Sequence, residues 1–160
     1  MIYQHTFAPI FDENSKILIL GSFPSVKSRE EGFYYGHPRN RFGQVLSAIF
    51  TEPPPENVAE KQSLLLNHNI ALWDVCSSCE VSGSSDSSIR EVTPNDLSVI
   101  LNAAKIERIF TNGRTADSLY RKFCEKSFGI PAVCLPSTSP ANASWSTQKL
   151  ISEWKIISER

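Results

Sequence analysis

Apolar and polar positions along this chain predict strands and helices in alternation. Strand-length apolar runs cover residues 17–20, 69–75, 106–111 and 129–135. Between these runs the apolar residues recur at helical spacing, for example at positions 42, 45, 46, 49 and 50. Alternation of this kind predicts an α/β fold in which a parallel sheet carries helices on both faces.

Local signals set the expected boundaries of the helices. Three prolines at 53–55 end the helix that starts at Phe42, and another helix is expected over residues 56–68. Thr93, Pro94 and Asp96 have the residue types of a helix start. A last helix should begin near Trp145. Residues 76–92 are rich in serine and lack an apolar period, so this stretch is predicted to be a long loop.

Length and composition predict one globular domain over residues 1–160. No stretch approaches the ~18 apolar residues of a membrane span, and the N-terminal segment lacks the pattern of an export signal. A cytoplasmic monomer that does not contact the membrane is therefore expected. The net charge of −1 excludes a general basic field, so any contact with nucleic acid must be local.

The cysteine pattern predicts free thiols and no cofactor. A chain with no secretory signal is expected to keep Cys76, Cys79, Cys124 and Cys134 reduced. Cys76 and Cys79 have the spacing of a metal-binding pair, but a second pair with such spacing is missing. Neither a metal site nor any other cofactor is expected.

Candidate chemistry gathers in loops that follow the carboxyl ends of the predicted strands, where an open α/β sheet forms its ligand crevice. The first loop is Gly21-Ser22-Phe23-Pro24-Ser25. It is followed by residues 33–42, FYYGHPRNRF, where aromatic and cationic side chains suited to a nucleobase beside phosphates alternate. Asn40 lies at or near the start of the next helix, and capping of that helix explains the residue as well as a functional role does.

Two separated motifs resemble those of the uracil-DNA glycosylase superfamily, and they are most similar to the hypoxanthine-DNA (deoxyinosine) glycosylase family. The first comprises GSFPS and FYYGHPRNRF, and the second is LPSTSPAN at residues 135–142. Their order and their separation of about 95 residues make the signal specific. The resemblance implies a three-layer α/β/α sandwich with a four-stranded parallel sheet. It also implies a DNA partner that contains a deaminated base.

The resemblance assigns chemistry to three positions. A glycosylase flips a nucleotide out of the duplex, grips its base and hydrolyses the bond to the sugar. Asn40 would be catalytic, Phe42 would stack on the base, and Asp74 would read the base edge, where a carboxylate can accept the N1–H of hypoxanthine. A core role for Phe42 and capping of loop amides by Asp74 stay open. Asn112 is a further candidate for base contact, and an Asn-Gly turn explains it equally well.

Two positions depart from the motifs of relatives. Phe23, assigned to the base pocket, stands where many superfamily members carry the Asp or Asn that activates water. This departure is consistent with the hypoxanthine branch. Gly43 stands where the family usually has Trp, which should open space behind the pocket and puts the choice of substrate in doubt.

Candidate DNA contacts combine cations with loop hydroxyl and backbone N–H groups. In the family, the loop of the second motif enters DNA at the vacated position. Ordinary surface solvation is the alternative for the cations. The candidates are Ser22, Ser25, Lys27, Arg39, Arg41, Ser137, Ser139 and Pro140.

The expected activity is that of a monofunctional DNA glycosylase that leaves an abasic site, because no activated lysine is evident. Deoxyinosine is the expected substrate, with uracil or xanthine as further possibilities. One alternative is a serine hydrolase that uses Ser22 with His37 or His68, although the chain lacks a G-x-S-x-G elbow. The other is a non-catalytic nucleotide- or nucleic-acid-binding module of the same fold, which the phenylalanine at position 23 favours.

Overall fold

Two sheets and six helices organise the part of the chain that the computed structural model describes, which is residues 2–4, 7–23, 34–35, 39–80 and 90–159. The strands are β1 (Ile2–Gln4), β2 (Ile17–Gly21), β3 (Ile70–Asp74), β4 (Cys76–Glu80), β5 (Arg90–Pro94), β6 (Arg108–Asn112) and β7 (Ala132–Leu135). The α-helices are α1 (Phe42–Phe50), α2 (Val58–Asn67), α3 (Ser98–Leu101), α4 (Arg114–Phe123), α5 (Glu125–Phe128) and α6 (Thr147–Trp154), and a 3₁₀ turn follows at Lys155–Ser158.

The larger sheet is parallel and has the strand order β3-β2-β6-β7. Every residue of β2 and β3 is buried, as expected for parallel strands that are covered on both faces. The register pairs Gly21 with Asp74 and Asn112 with Leu135, so the carboxyl ends of all four strands lie along one edge. The predicted α/β fold with a four-stranded parallel sheet is confirmed.

Helices α1, α2 and α6 begin close to the predicted positions. In α1 the buried residues include Phe42, Val45 and Leu46, which form the predicted apolar stripe. Helix α2 begins after Asn57, whose side chain accepts the N–H of Glu60 at 2.9 Å. Helix α6 begins after Ser146, one residue beyond Trp145, and the serine side chain caps it in the same way.

The prediction that residues 76–92 form a long loop is wrong at both ends, where residues 76–80 and 90–92 lie in strands, while residues 81–89 lie outside the described residues. Strand β4 pairs antiparallel with β1 and with β5, in the order β1-β4-β5. The β4–β5 register shifts between Cys76 and Ser78 and again between Ser78 and Glu80. Such irregularities break the period-two alternation by which a strand is recognised in a sequence, so the segment did not resemble one.

The predicted helix start at Thr93 is also wrong. Thr93 and Pro94 belong to β5, and α3 begins only at Ser98. The carboxylate of Asp96 accepts both the N–H of Ser98, at 3.0 Å, and its hydroxyl, at 2.6 Å. Pairing of β5 with β4 therefore overrides the local helix signal, and Asp96 caps the helix from a later position than predicted.

Helices long and apolar enough to cross a membrane do not occur among the described residues. All four cysteines are free thiols; Cys76, Cys79 and Cys124 are buried, and Cys134 is exposed.

Candidate active site

The candidate site lies at the carboxyl edge of the parallel sheet. Gly21 ends β2, Asp74 ends β3 and Asn112 ends β6. The second motif follows directly from the end of β7 at Leu135. We call the group formed by Gly21, Asp74 and Asn112, with Asn40 and Thr138 from the two motifs, the strand-end site.

The two motifs meet at Thr138. The main-chain N–H of Arg41 donates to the carbonyl oxygen of Thr138 at 3.1 Å. The hydroxyl of Thr138 donates to Oδ1 of Asn40 at 2.9 Å, across 98 positions of sequence. The end of HPRN and the middle of LPSTSPAN are thus in direct contact.

The amide of Asn40 has a defined orientation. Its Oδ1 accepts the N–H of Phe42 at 2.9 Å as well as the hydroxyl of Thr138. A main-chain nitrogen can only donate, so the atom that faces Phe42 is the carbonyl oxygen and not the amide nitrogen. Within the described residues, Nδ2 of this half-buried side chain has no hydrogen-bond partner. Asn40 therefore accepts the N–H of Phe42, the first residue of α1, although Arg41 is the N-cap residue, and its two N–H donors are left for another partner.

Thr138 and Asn112 form the buried side of this arrangement. Thr138 is fully buried, and Asn112 is 9% exposed. Oδ1 of Asn112 accepts the N–H of Thr138, and its Nδ2 donates to the Thr138 hydroxyl, both at 3.0 Å. Sequence reasoning did not single out Thr138, and its only signal was its place inside the second motif. The turn after Asn112 is supplied by Gly113 at φ +96°, so the turn does not occupy the asparagine side chain.

The carboxylate of Asp74 lies over the end of β2. Asp74 is 3% exposed, and a Cβ at position 21 would lie 2.3 Å from its Oδ1 and 3.0 Å from the hydroxyl of Tyr35. Burial raises the pKa of the neighbouring Tyr34 phenol, and the Asp74 charge adds to that rise. Tyr35 has a left-handed φ of 55°, which is uncommon for a residue with a side chain. The carboxylate of Asp74 and the phenol of Tyr35 therefore share the space above Gly21.

Phe42 is largely a core residue. It is 7% exposed, and the ring of Tyr35 lies against it with a centroid distance of 4.4 Å and a tilt of 34°. The ring of Trp154 makes an edge contact with it at 5.9 Å. Tyr35, which is half-buried, therefore covers Phe42 and links it to the space above Gly21. The core interpretation of Phe42, left open from the sequence, describes these contacts well.

Phe23 packs in a small apolar cluster of its own. It is 9% exposed and lies with Cys76 and Cys79 of β4, against Val92 and Leu119. An Asp at this position would place a charge among apolar groups and thiols, which is energetically costly. Phe23 thus has a clear packing role in this chain.

Arg41 is bound to the loop of the second motif. Its guanidinium group donates to the carbonyl oxygen of Trp145 and, at 3.1 Å, to that of Asn142. Its charge is therefore directed at the backbone that ends the loop. Arg39, by contrast, is exposed.

The loop over residues 137–142 is held by short-range hydrogen bonds. The Ser137 hydroxyl accepts the N–H of Ser139 at 3.1 Å, and the Ser139 hydroxyl accepts the N–H of Ala141 at 3.2 Å. The side chain of Asn142 donates back to the carbonyl oxygen of Ser137 at 3.0 Å. These bonds hold the loop in one shape, with Ala141 exposed and Pro140 partly exposed.

Behind the aromatic pair there is a small apolar pocket that is partly open to solvent. Its lining includes Tyr35, Phe42, Gly43, Pro55 and Lys61. A Cβ at position 43 would lie 3.2 Å from Cγ of Pro55, so the proline ring occupies space that a large side chain would need. The space that the missing Trp was expected to open is thus occupied next to Gly43 by Pro55.

The remaining candidates fall elsewhere. Ser22 is buried at the end of β2, whereas Ser25, Lys27 and His37 lie outside the described residues. His68 precedes β3, so it lies at the opposite edge of the sheet from Ser22 and cannot serve it as a base. Among the described residues there is no cluster of three or more His, Cys, Asp or Glu that could hold a metal ion.

Comparison with known proteins identifies the family. The model of the uracil DNA glycosylase superfamily matches residues 8–158. Two relatives named hypoxanthine DNA glycosylase come from Methanosarcina acetivorans and Methanosarcina barkeri. The first is 37% identical over 94% of this chain and 95% of its own length, and the second is 33% identical over 85% and 86%.

A solved structure agrees with these relatives. The solution NMR structure of a candidate uracil DNA glycosylase from Methanosarcina acetivorans superimposes with a TM-score of 0.82 at 35% identity, over 98% of this chain and 96% of that one. The chain belongs to the uracil DNA glycosylase superfamily. The resemblance drawn from the two motifs is confirmed, and so is the fold that it implied.

Proposed function

We propose that this chain is a monofunctional DNA glycosylase that hydrolyses the N-glycosyl bond of a flipped-out deaminated nucleotide, with deoxyinosine as its preferred substrate. The class of enzyme follows from the family and from relatives named hypoxanthine DNA glycosylase. The observation that carries the proposal is the hydrogen bond between Thr138 and Asn40, which brings both motifs to the strand-end site.

The hydrolysis separates charge, and Asn40 is suited to one half of it. The bond from C1′ to N9 breaks, its electron pair leaves with the base, and the oxygen of water bonds to C1′ as it loses a proton, which neutralises the departing purine anion. Positive charge develops on the sugar and negative charge on the departing purine. Because Oδ1 of Asn40 already accepts two donors, the residue acts through Nδ2, which donates to an acceptor atom of the leaving base.

Asp74 supplies selectivity for the base. Hypoxanthine carries a hydrogen on N1, which a carboxylate can accept, whereas adenine presents a lone pair there. A buried carboxylate that faces a lone pair is both repelled and left without its donor, so adenine is rejected. Tyr35, which lies beside Asp74 above Gly21, provides the aromatic surface against which the base packs.

The second motif loop and local cations hold the DNA, and the enzyme acts as a monomer. Ser137, Ser139 and Pro140 belong to the loop that enters the duplex where the nucleotide has left. Its internal hydrogen bonds reduce the entropy lost on insertion. Arg39 is exposed and directly precedes Asn40 in the first motif, so we assign it a contact with a phosphate. Ser22, Ser25 and Lys27 remain further proposed contacts.

The test is a cleavage panel on end-labelled duplexes that differ only in one base: hypoxanthine, uracil, xanthine or adenine. We expect strand scission after treatment with alkali, greatest for hypoxanthine and absent for adenine, and no scission when alkali is left out. Binding without alkali-dependent scission would identify a non-catalytic module. Scission without alkali would identify a lyase, and faster release of uracil would overturn the proposed substrate.

A further inference from the structure

We propose that Thr138 and Asn112 are positioning residues that lock the amide of Asn40 in one orientation, with its oxygen turned into the protein and its nitrogen left for the substrate. This inference rests on the proposed function, since it concerns how Asn40 is held for that reaction. It gives Asn112 a role through Asn40 in place of direct contact with the base.

The orientation of each side chain follows from a main-chain donor at either end of the network. The N–H of Thr138 fixes Oδ1 of Asn112, so the nitrogen of Asn112 must be the atom that faces the Thr138 hydroxyl. That hydroxyl accepts from Asn112, and its own hydrogen then points to Oδ1 of Asn40. At the other end, the N–H of Phe42 also requires an oxygen at this position of Asn40. Both ends therefore specify the same amide orientation.

Burial strengthens the lock. Thr138 is fully buried and Asn112 is 9% exposed, so water does not compete for these hydrogen bonds. Rotating the Asn40 amide by half a turn would place its nitrogen against two donors, the Thr138 hydroxyl and the Phe42 N–H. It would also present oxygen lone pairs to the developing charge of the departing base. Fixing the donor in advance avoids reorganisation during the reaction.

The network also joins three separate elements. Asn112 ends β6, Thr138 lies in the second motif loop, and Asn40 precedes α1. Thr138 is two residues before Pro140 in the loop assigned to the duplex. Thr138 therefore belongs both to the loop proposed to enter the duplex and to the network that orients the Asn40 amide.

The test compares two replacements of Thr138 with a matched control. Thr138→Val keeps the shape and removes the hydroxyl, whereas Thr138→Ser keeps the hydroxyl. The control is Thr111→Val, because Thr111 is equally buried and its hydroxyl donates to Asp117 at 3.0 Å, outside this network. Each variant is assayed for single-turnover release of hypoxanthine, for affinity to a duplex with a non-hydrolysable 2′-fluoro deoxyinosine, and for melting temperature.

We expect Thr138→Val to slow single-turnover release by about tenfold to a hundredfold while duplex affinity stays within about threefold. Thr138→Ser should retain the rate to within about threefold, and Thr111→Val should lose melting temperature without losing rate. A slowed serine variant beside a wild-type rate for the valine variant would mean that Thr138 only fills space. A wild-type rate in Thr138→Val would overturn the lock and leave the proposed function intact.

Asn112→Asp tests the other half of the network. Aspartate still accepts the N–H of Thr138, but it also attracts the hydroxyl hydrogen that otherwise points to Asn40. We expect a loss of rate similar to that of Thr138→Val, and a double variant little slower than either single one, since both remove the same orientation. Additive losses of rate would show that Asn112 and Thr138 act separately and would overturn the proposed lock.

A spectroscopic measurement separates this inference from the activity itself. In ¹⁵N-labelled wild-type protein, the side-chain NH₂ of Asn40 should give one sharp pair of proton resonances, assigned by its loss in Asn40→Ala. In Thr138→Val the pair should broaden or split, and in Thr111→Val it should not. An unchanged pair of resonances in Thr138→Val overturns the lock, whether or not the wild-type protein is active. Failure of the wild-type protein to release hypoxanthine refutes the proposed function instead.

Discussion

The carboxylate of Asp74 lies so close to Gly21 that a Cβ at position 21 would stand 2.3 Å from Oδ1. The two residues are paired in register as the last residues of neighbouring parallel strands. Real Cβ atoms do not approach an oxygen this closely, so any side chain at position 21 must displace the carboxylate. Glycine at the end of β2 is thus a condition for the position of Asp74.

Gly21→Ala should therefore have the effect of a substitution at Asp74. We expect Gly21→Ala and Asp74→Ala each to slow release of hypoxanthine by roughly tenfold to a hundredfold, because each removes the hydrogen bond proposed between the carboxylate and the base. The double variant should be little slower than Asp74→Ala, since the two changes act on one carboxylate. The measurement is single-turnover release by the three variants and wild type.

Gly43→Ala is the control for the comparison of Gly21→Ala, Asp74→Ala and their double variant. Its new Cβ meets only the ring of Pro55, at 3.2 Å, and it leaves the carboxylate untouched. Its rate should stay within about threefold of wild type. A Gly21→Ala enzyme as fast as this control would show that Asp74 does not read the base.

Arg39 and Arg41 should differ in their response to salt. Each phosphate contact contributes about 0.9 to the slope of log K against log salt concentration. We expect Arg39→Ala to lower that slope by nearly this amount. Arg41→Ala should leave the slope almost unchanged and lower the melting temperature, because its guanidinium is bonded to Trp145 and Asn142. Duplex affinity measured over a salt series checks both; a fall in slope for Arg41→Ala would give this residue a phosphate contact after all.

The thiols should differ in reactivity in the native protein. Cys134 is exposed, whereas the other three are buried, and burial raises the pKa of Cys124 to about 11. Burial, with the charge of Asp117, also raises the pKa of Cys134, so its labelling should be slower than that of a free peptide thiol. A disulfide reagent should titrate about one thiol in the folded chain and four after denaturation. Rapid native labelling of Cys76 or Cys79 would contradict the packing around Phe23.

Much of the fold could be predicted because its signals are local. Continuous burial of β2 and β3 produces unbroken apolar runs, and the single buried face of α1 produces its stripe. Strand β4 was not predicted because its register shifts and its serines remove the alternation of apolar and polar residues by which a strand is recognised in a sequence. The helix start predicted at Thr93 was wrong because the helix signal is local, whereas the strand partner of Thr93, Ser78, is remote in sequence.

Candidate site residues could be named from the sequence where a motif marks them, and not where three-dimensional contacts alone single them out. Asn40 was singled out from HPRN and it contacts the second motif, while its catalytic role stays a prediction. Thr138 was passed over because a threonine in a serine-rich loop has no distinguishing pattern until its partner Asn112 is known. Covering of Phe42 by Tyr35 depends likewise on a three-dimensional contact.

The most direct test of the account is single-turnover release of hypoxanthine by Asn40→Asp, with Asn40→Ala beside it. Aspartate retains the oxygen that accepts from Phe42 and Thr138 and replaces only the NH₂ group. We predict that both variants lose at least about a hundredfold in rate while duplex affinity stays within about tenfold, or ~1.4 kcal/mol. An Asn40→Asp enzyme that releases hypoxanthine at the wild-type rate would contradict the donor role of Asn40 and the mechanism built on it.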